Sequence, residues 1–127
     1  MTNSISYKHL AQGVFDAMNK RDFSDMQMNI SEDLVFDFPG AGRIAGAKRV
    51  ILFLNALLRK YSTLTFSVSE IFIDAERACA IWTNQGEYKD GKLYSNSGVT
   101  IFHFSGGKIS FMSDYFKDTS FTNPNKL

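Results

Sequence analysis

Residues 93–117 read LYSNSGVTIFHFSGGKISFMSDYFK, and they carry the clearest structural pattern in the chain. Apolar and polar side chains alternate along it, which is typical of β-strands. The segment Ser105–Lys108 contains two glycines and is predicted to form a hairpin turn. We therefore predict two long antiparallel strands, Leu93–Phe104 and Ile109–Lys117.

Two further strands are predicted before this hairpin, so that the second half of the chain forms a four-stranded meander. The segment Lys89–Lys92 contains the Asp-Gly pair of a tight turn and follows a strand predicted at Arg77–Tyr88. The earliest of the four strands, Leu64–Asp74, has three apolar residues that we place on one face: Phe66, Val68 and Phe72.

Tight turns at the two hairpins would set the pairing of the last three strands. Because side chains alternate between the faces of a strand, one face would carry the following neighbours: Thr100 with Asp114, Phe102 with Met112, Phe104 with Ser110, Trp82 near Thr100, and Asn84 near Gly98. The opposite face would carry Val99, Ile101, His103, Phe111, Ser113 and Tyr115.

The first half of the chain is predicted to be mostly helical. A stripe of apolar residues at i, i+3, i+4 and i+7 predicts a first helix that begins near Ser4 or Ser6: Tyr7, Leu10, Ala11, Val14, Phe15 and Met18. The later elements are predicted as a short second helix at Ser24–Asn29, a short strand at Leu34–Phe38, a glycine loop at 40–46, and a third helix at Ala47–Tyr61.

Helices in one half and strands in the other favour an α+β fold over an alternating α/β fold. We predict a cone-shaped roll, in which three helices pack on a curved, mostly antiparallel sheet and enclose an apolar pocket. The length of 127 residues suits one domain, 1–127, with residues 119–127 as a loosely ordered tail. Twelve phenylalanines provide side chains suited to the walls of such a pocket.

The charge balance argues against several classes of partner. A net charge of +1 provides no field for binding nucleic acid or an anionic membrane. The N-terminus lacks the pattern of a signal peptide, and no apolar run is long enough to span a membrane. The single cysteine, Cys79, favours a reducing compartment, so we expect a cytoplasmic protein in which this thiol is buried and inert.

One carboxylate stands out on the face that the helices are expected to cover. Asp114 would lie among Phe102, Met112 and Phe116, where burial would raise its pKa and suit it to acid or base chemistry. The alternative is a structural carboxylate at the rim of the cone, or one that accepts hydrogen bonds from Tyr7 or Thr100. His9 and His103 have no spaced carboxylate partner, so no metal site is predicted.

Both faces of the predicted sheet are apolar, yet the helices can cover only one of them. A large exposed apolar patch usually marks an interface. We therefore expect a homodimer that forms through the outer sheet face. A slip of one residue in the strand register would exchange the two faces.

Three stretches resemble the nuclear transport factor 2-like superfamily: Met18–Phe23, Leu34–Gly40, and Gly107–Ile109 followed by Asp114–Phe116. The last is similar to SnoaL-like polyketide cyclases and to limonene-epoxide hydrolase-like proteins, which have an Asp six residues after the Lys or Arg of the turn. In those groups this Asp is the catalytic acid or base. The resemblance therefore implies that role for Asp114.

The chain departs from each of the enzyme groups that it resembles. Epoxide hydrolases of this type use an Arg-x-Asp pair, and the matching positions here are Gly98 and Thr100. Ketosteroid isomerases use three polar residues at positions that match Val14, Phe38 and Thr100, and Asp37 could replace one of them only if its strand were shifted by one residue. SnoaL-like cyclases pair their Asp with a His, for which Asn84 stands here; an amide can orient a carbonyl or a water but does not transfer protons.

The resemblance implies a cavity that binds a small, largely apolar molecule, with Asp114-dependent cyclase, isomerase, hydratase or hydrolase chemistry and no cofactor. The alternative is a non-enzymatic dimeric module that binds a ligand or another protein. The residues predicted to contact a ligand are Tyr7, Val14, Phe38, Phe53, Trp82, Asn84, Thr100, Phe102, Met112 and Phe116.

Overall fold

A computed structural model of the chain describes residues 4–120, with side chains described from Tyr7 onward. It contains two α-helices, one short 3-10 helix and one six-stranded sheet. The helices are α1 (Ser4–Lys20), the 3-10 helix (Met26–Asn29) and α2 (Ala47–Leu58). The strands are β1 (Ile30–Phe38), β2 (Gly42–Ala45), β3 (Tyr61–Asp74), β4 (Arg77–Tyr88), β5 (Leu93–Ser105) and β6 (Lys108–Phe116).

The sheet has the strand order β2-β1-β6-β5-β4-β3. Strands β1 and β6 run parallel, and every other neighbouring pair is antiparallel. The predicted α+β class and the four-stranded meander are confirmed. Within the described residues, no helix is long and apolar enough to cross a membrane.

The prediction of three helices was wrong, because the expected second helix is only a four-residue 3-10 turn. Asp22 accepts hydrogen bonds from the backbone N–H and the hydroxyl of Ser24, at 3.0 and 2.7 Å, which favours a turn over a helix here. Phe23 and Met26 are nevertheless buried and belong to the core.

Two other predicted boundaries also differ from the structure. The last helix ends at Leu58, so Tyr61 begins β3, where its ring stacks on Tyr88 with centroids 4.9 Å apart. The predicted glycine loop includes the short strand β2, which pairs with the end of β1. Of the predicted tail, residues 121–127 lie outside the described part. Asp118 is held by Asn96, which donates to its backbone carbonyl at 2.9 Å.

The register of the last hairpin is confirmed at the positions that matter for the site. Thr100 lies opposite Asp114 and Phe102 lies opposite Met112. A bulge after His103 shifts Phe104 opposite Ile109 instead of Ser110. Between β4 and β5, Trp82 lies opposite Gly98 and Asn84 opposite Asn96, two residues from the predicted neighbours. A shift of two residues leaves every side chain on the expected face.

A second bulge, between Val68 and Glu70, changes which face of β3 its last residues occupy. Because one extra residue reverses the alternation, Phe72 lies beside Cys79 on the outer face and is 50% exposed. The expectation that Phe72 shares a face with Phe66 and Val68 was therefore wrong.

The two α-helices pack against the opposite, inner face of the sheet, where the buried side chains form one hydrophobic cluster. Helix α1 is attached to the edge strand β3 by Asn19. Its amide donates to the backbone carbonyl of Phe66 at 3.0 Å and accepts from the backbone N–H of Phe66 at 2.8 Å. This pair of hydrogen bonds holds Phe15 and Met18 over the middle of the sheet, where the candidate site lies.

Candidate functional site

A small cavity of about 40 Å³ lies between the helices and the inner face of the sheet. Its apolar wall comes from the helices through Val14, Phe15, Met18, Leu54 and Leu57, and from the strands through Phe36, Phe38, Leu64, Phe66, Met112 and Phe116. Its polar residues are Tyr61, Asn84, Tyr94, Thr100 and Asp114. A volume of this size holds only a few water molecules.

Asp114 is the one charged residue of the cavity wall among the described residues, and a chain of two hydrogen bonds fixes it. The indole Nε1–H of Trp82 donates to the Thr100 hydroxyl at 2.9 Å. Because that bond occupies a lone pair of the hydroxyl, the Thr100 proton is directed to Asp114 Oδ1 at 2.6 Å. The Thr100 side chain therefore acts as an oriented donor to the carboxylate.

Burial among apolar groups raises the pKa of Asp114 to about 7, although the bond from Thr100 acts in the opposite direction. The residue keeps partial solvent exposure, while the groups around its carboxyl are almost all apolar. Desolvation dominates because one neutral hydroxyl replaces only a small part of the lost hydration. A carboxyl with a pKa near neutrality can both accept and release a proton under cellular conditions.

Asn84 provides a second polar group in the cavity wall, and its side chain is poorly satisfied. The residue is 5% exposed, and its Oδ1 atom is buried without a hydrogen-bond partner. A buried acceptor left unpaired costs about 1–3 kcal/mol. Such a group is well suited to bind a polar atom of a molecule in the cavity.

Three tyrosines form a cluster at the end of the cavity near the start of β5, away from Asp114. They are Tyr61, Tyr88 and Tyr94. Their ring centroids are 4.9 to 5.4 Å apart. Asn96 donates to the Tyr94 hydroxyl at 3.2 Å. Burial raises the pKa of Tyr61 and of Tyr94, so both phenols stay neutral and keep a proton that they can donate to a ligand.

Gly98 explains why Trp82 can reach Thr100. A Cβ atom at position 98 would lie 2.3 Å from the Tyr115 carbonyl oxygen and 3.1 Å from the indole ring of Trp82. No side chain fits there without a shift of the backbone of β6. The Arg of the Arg-x-Asp pair has its counterpart at this position, so the geometry excludes a side chain where that arginine would stand.

The structure brings seven of the predicted site residues together in the cavity wall: Val14, Phe38, Asn84, Thr100, Met112, Asp114 and Phe116. Four others lie outside it. Tyr7 stacks on Phe104 with centroids 4.1 Å apart, and Phe102 is fully buried behind the wall. Trp82 contacts the cavity only through its neighbours, and Phe53 packs against Phe36 and Phe38.

Sequence reasoning missed several residues of the wall, of which Tyr61 and Tyr94 matter most for chemistry. Strand alternation could have identified Tyr94, because it lies six positions before Thr100 on β5, an even offset that places both side chains on one face. Tyr61 was hidden by its assignment to the end of a helix.

The remaining polar candidates lie away from the cavity. Asp37 faces the outer side of the sheet, where it pairs with Arg43 at 3.5 Å, so it does not replace a catalytic base. His9 and His103 are exposed. Cys79 is half-buried on the outer face, and burial raises the pKa of its thiol. Within residues 4–120 no three His, Cys, Asp or Glu side chains are grouped closely enough to bind a metal.

Solved structures share this fold. Bal32a, from a soil-derived mobile gene cassette, has a TM-score of 0.86 at 17% identity, with 94% of this chain and 95% of that chain covered. An NTF2-like protein from Anabaena variabilis has a TM-score of 0.82 at 20% identity, with 93% and 95% covered. TerC, crystallised with polyporic acid, has a TM-score of 0.79 at 16% identity, with 89% and 92% covered.

Identities this low establish a common fold and nothing about activity. No curated protein sequence matches the chain. The sequence itself matches the family model of the SnoaL-like domain over residues 11–112. This match spans most of the chain and includes most of the cavity wall. The protein therefore belongs to the SnoaL-like domain family, with the fold of the nuclear transport factor 2-like proteins.

Proposed function

We propose that the protein binds a small, largely apolar molecule in this cavity, and that Asp114 transfers a proton to or from it. The observation that carries the proposal is the Asp114 carboxyl, which has one oriented donor, Thr100, in a wall that is otherwise mostly apolar. The reaction class that fits is cofactor-independent proton transfer, as in an isomerase, a cyclase or a hydratase. The cytoplasm is the setting that we propose for it.

The ionised form of Asp114 would act as the base. When Asp114 takes up the proton, its negative charge is neutralised. The Thr100 hydroxyl nevertheless stays in place, because it also accepts a hydrogen bond from the indole of Trp82. The protonated carboxyl can then return the proton to another atom of the same molecule. Asn84 would hold a polar group of the substrate during both steps.

The cavity must widen before it accepts such a molecule. Binding pockets for small organic molecules usually enclose several hundred cubic ångströms, and this cavity has about 40 Å³. Its wall contains Met18 and Met112, whose flexible side chains adapt readily to a ligand. TerC, a protein of the same fold, was crystallised with the organic molecule polyporic acid.

Proton exchange offers a test that needs no knowledge of the natural substrate. We expect the protein to accelerate exchange of the α-hydrogens of cyclohexanone with D₂O, and we expect Asp114→Asn to lose this acceleration. A positioned base typically contributes about 10²–10⁴-fold to such a step. The rate should rise with pH through about 7, as Asp114 ionises.

Nuclear magnetic resonance measures this exchange directly. Asp37→Asn is the matched control, because it removes a carboxylate that faces the outer side of the sheet. Equal exchange rates for Asp114→Asn and the unmodified protein, across several small cyclic ketones, would refute the role of Asp114 as a base.

One observation favours a second candidate, a non-enzymatic dimeric module for ligand or protein binding. The cavity wall contains a single carboxylate where the enzymes that the chain resembles use two or three reactive groups. The outer sheet face would form the dimer interface. It presents half-buried Ile81, Val99, Ile101 and Phe111, flanked by Phe72 at 50% exposure and Tyr115 at 59%.

A charge placed in the centre of this face should prevent association. We expect the unmodified protein to sediment at twice the chain mass of 14.3 kDa, and Ile101→Glu to sediment at the mass of one chain. Sedimentation velocity over a range of concentrations measures this. Leu52→Glu, which alters an exposed apolar residue on α2, is the control and should remain dimeric. A monomeric unmodified protein would contradict the proposed interface.

A further inference from the structure

A second concavity, here called the outer groove, lies directly beside the cavity and opens to solvent. It has a volume of about 440 Å³ and lies between the turn at residues 38–41, the C-terminal half of α2, and Tyr88. The cavity beside it has about 40 Å³. Even without the cavity, the outer groove has a volume in the range usual for sites that bind small organic molecules.

The two spaces are separated by a thin wall. Phe38, Leu57 and Tyr61 line both the cavity and the outer groove. Phe38 is anchored by close ring contacts with Phe53 and Phe116, at 5.1 and 5.4 Å between centroids. Leu57 is partly buried near the end of α2, where it packs against the edge of the core and has other staggered rotamers open to it. A movement of this one side chain would join the two spaces.

The charged residues of the joined space lie at its two ends. Asp114 is in the cavity, and Lys60 is the one charged residue that lines the outer groove among the described residues. A ligand with an anionic group would be repelled by the ionised Asp114 and attracted by Lys60. Its apolar part would find aromatic and aliphatic side chains along the whole path. The charge pattern therefore selects one orientation, with the apolar end inward.

We propose that the outer groove is the outer half of the binding site, and that the joined site takes an elongated apolar molecule whose anionic end lies at Lys60. This inference rests on the proposed binding of an apolar ligand in the cavity and names its chemical class. The driving force is burial of the apolar part, and Lys60 adds orientation.

A matched pair of ligands tests the inference. Decanoate and decan-1-ol have the same chain length and differ in charge. Trp82 is the single tryptophan and its ring contacts Phe66 and Phe116 of the cavity wall, so its fluorescence reports occupancy. We expect the protein to bind decanoate about two- to fivefold more tightly than decan-1-ol, since an exposed charge contributes modestly. Lys60→Gln should abolish this preference, while Lys108→Gln, at the opposite end of the sheet, should retain it.

A bulky side chain in the outer groove provides a second, independent measurement. Ala56 is exposed and lines only this groove, so Ala56→Phe should weaken decanoate binding at least about tenfold without disturbing the core. Leu52→Phe, one turn earlier on α2 and outside the groove, should leave the affinity unchanged.

The outcomes separate this inference from the proposed function. Binding of both ligands with equal affinity, unchanged by Lys60→Gln and Ala56→Phe, would overturn the inference and leave the cavity proposal standing. Absence of binding by either ligand to the unmodified protein would also overturn the inference, and the proton-exchange measurement then decides the proposed function separately.

Discussion

Asp114→Asn should stabilise the protein by about 3 kcal/mol at pH 8 and leave its stability almost unchanged at pH 4. The native state raises the pKa of this carboxyl from 3.8 to about 7, mainly by desolvation. An Asn of the same shape can still accept the hydrogen bond from Thr100 and carries no charge to desolvate. The full shift corresponds to about 4 kcal/mol, which the partial exposure of the residue reduces.

The sign of this pH dependence follows from the number of protons that the native and the unfolded states bind. Between pH 3.8 and about 7, the native state holds the Asp114 proton while the unfolded chain has released it. The free energy of unfolding therefore falls as the pH rises through this window and is constant above it. Below pH 3.8 both states are protonated, so the contribution is fully present there.

Urea denaturation followed by Trp82 fluorescence, at intervals between pH 4 and pH 8.5, measures this dependence. Thr100→Val is the companion variant with the opposite expected effect. It removes the donor that lowers the pKa of Asp114, so its stability should fall with the same slope but continue to fall above pH 7, where the unmodified protein levels off. Identical pH profiles for Asp114→Asn and the unmodified protein would show that Asp114 is ordinarily solvated.

Gly98→Ala should destabilise the protein by about 2–3 kcal/mol, the upper part of the range typical of overpacked interiors. The added methyl group would lie 2.3 Å from the Tyr115 carbonyl oxygen, so strand β6 must move away from β5. The same methyl group would press on the indole of Trp82 at 3.1 Å and disturb its bond to Thr100. We therefore expect a second effect, a further rise in the pKa of Asp114.

Denaturation at neutral pH measures the stability of this variant, and the emission maximum of Trp82 reports the position of its ring. Gly13→Ala is the matched control. A Cβ atom at Gly13 meets nothing within 4 Å, and Ala is favoured over Gly in a helix by about 1 kcal/mol, so that variant should be more stable than the unmodified protein. A Gly98→Ala protein with unchanged stability and emission would contradict the tight packing between β5 and β6.

Asp114 and Gly98 also show how much of the site could be predicted from the sequence. The pairing of Asp114 with Thr100 was predictable, because a tight turn and the two-residue period of strands determine it locally. The role of Gly98 was not. From sequence, a glycine here indicates only a locally weakened strand. The structure shows why a side chain is excluded: the Tyr115 carbonyl of β6 and the indole of Trp82 on β4 both lie too close.

Several features were predictable without coordinates: the α+β class, the meander and its two turns, the inner and outer faces of its last strands, and the placement of one acid among apolar side chains. All of these depend on local chemistry: periodicity, turn residues and pairs joined by a short hairpin. Three features were visible only in the folded chain: the bulge that turns Phe72 outward, the cluster of Tyr61 with Tyr88 and Tyr94, and the wall shared by the cavity and the outer groove. These features depend on how side chains distant in sequence fill a shared volume, and close packing assigns that volume only when all the elements are in place.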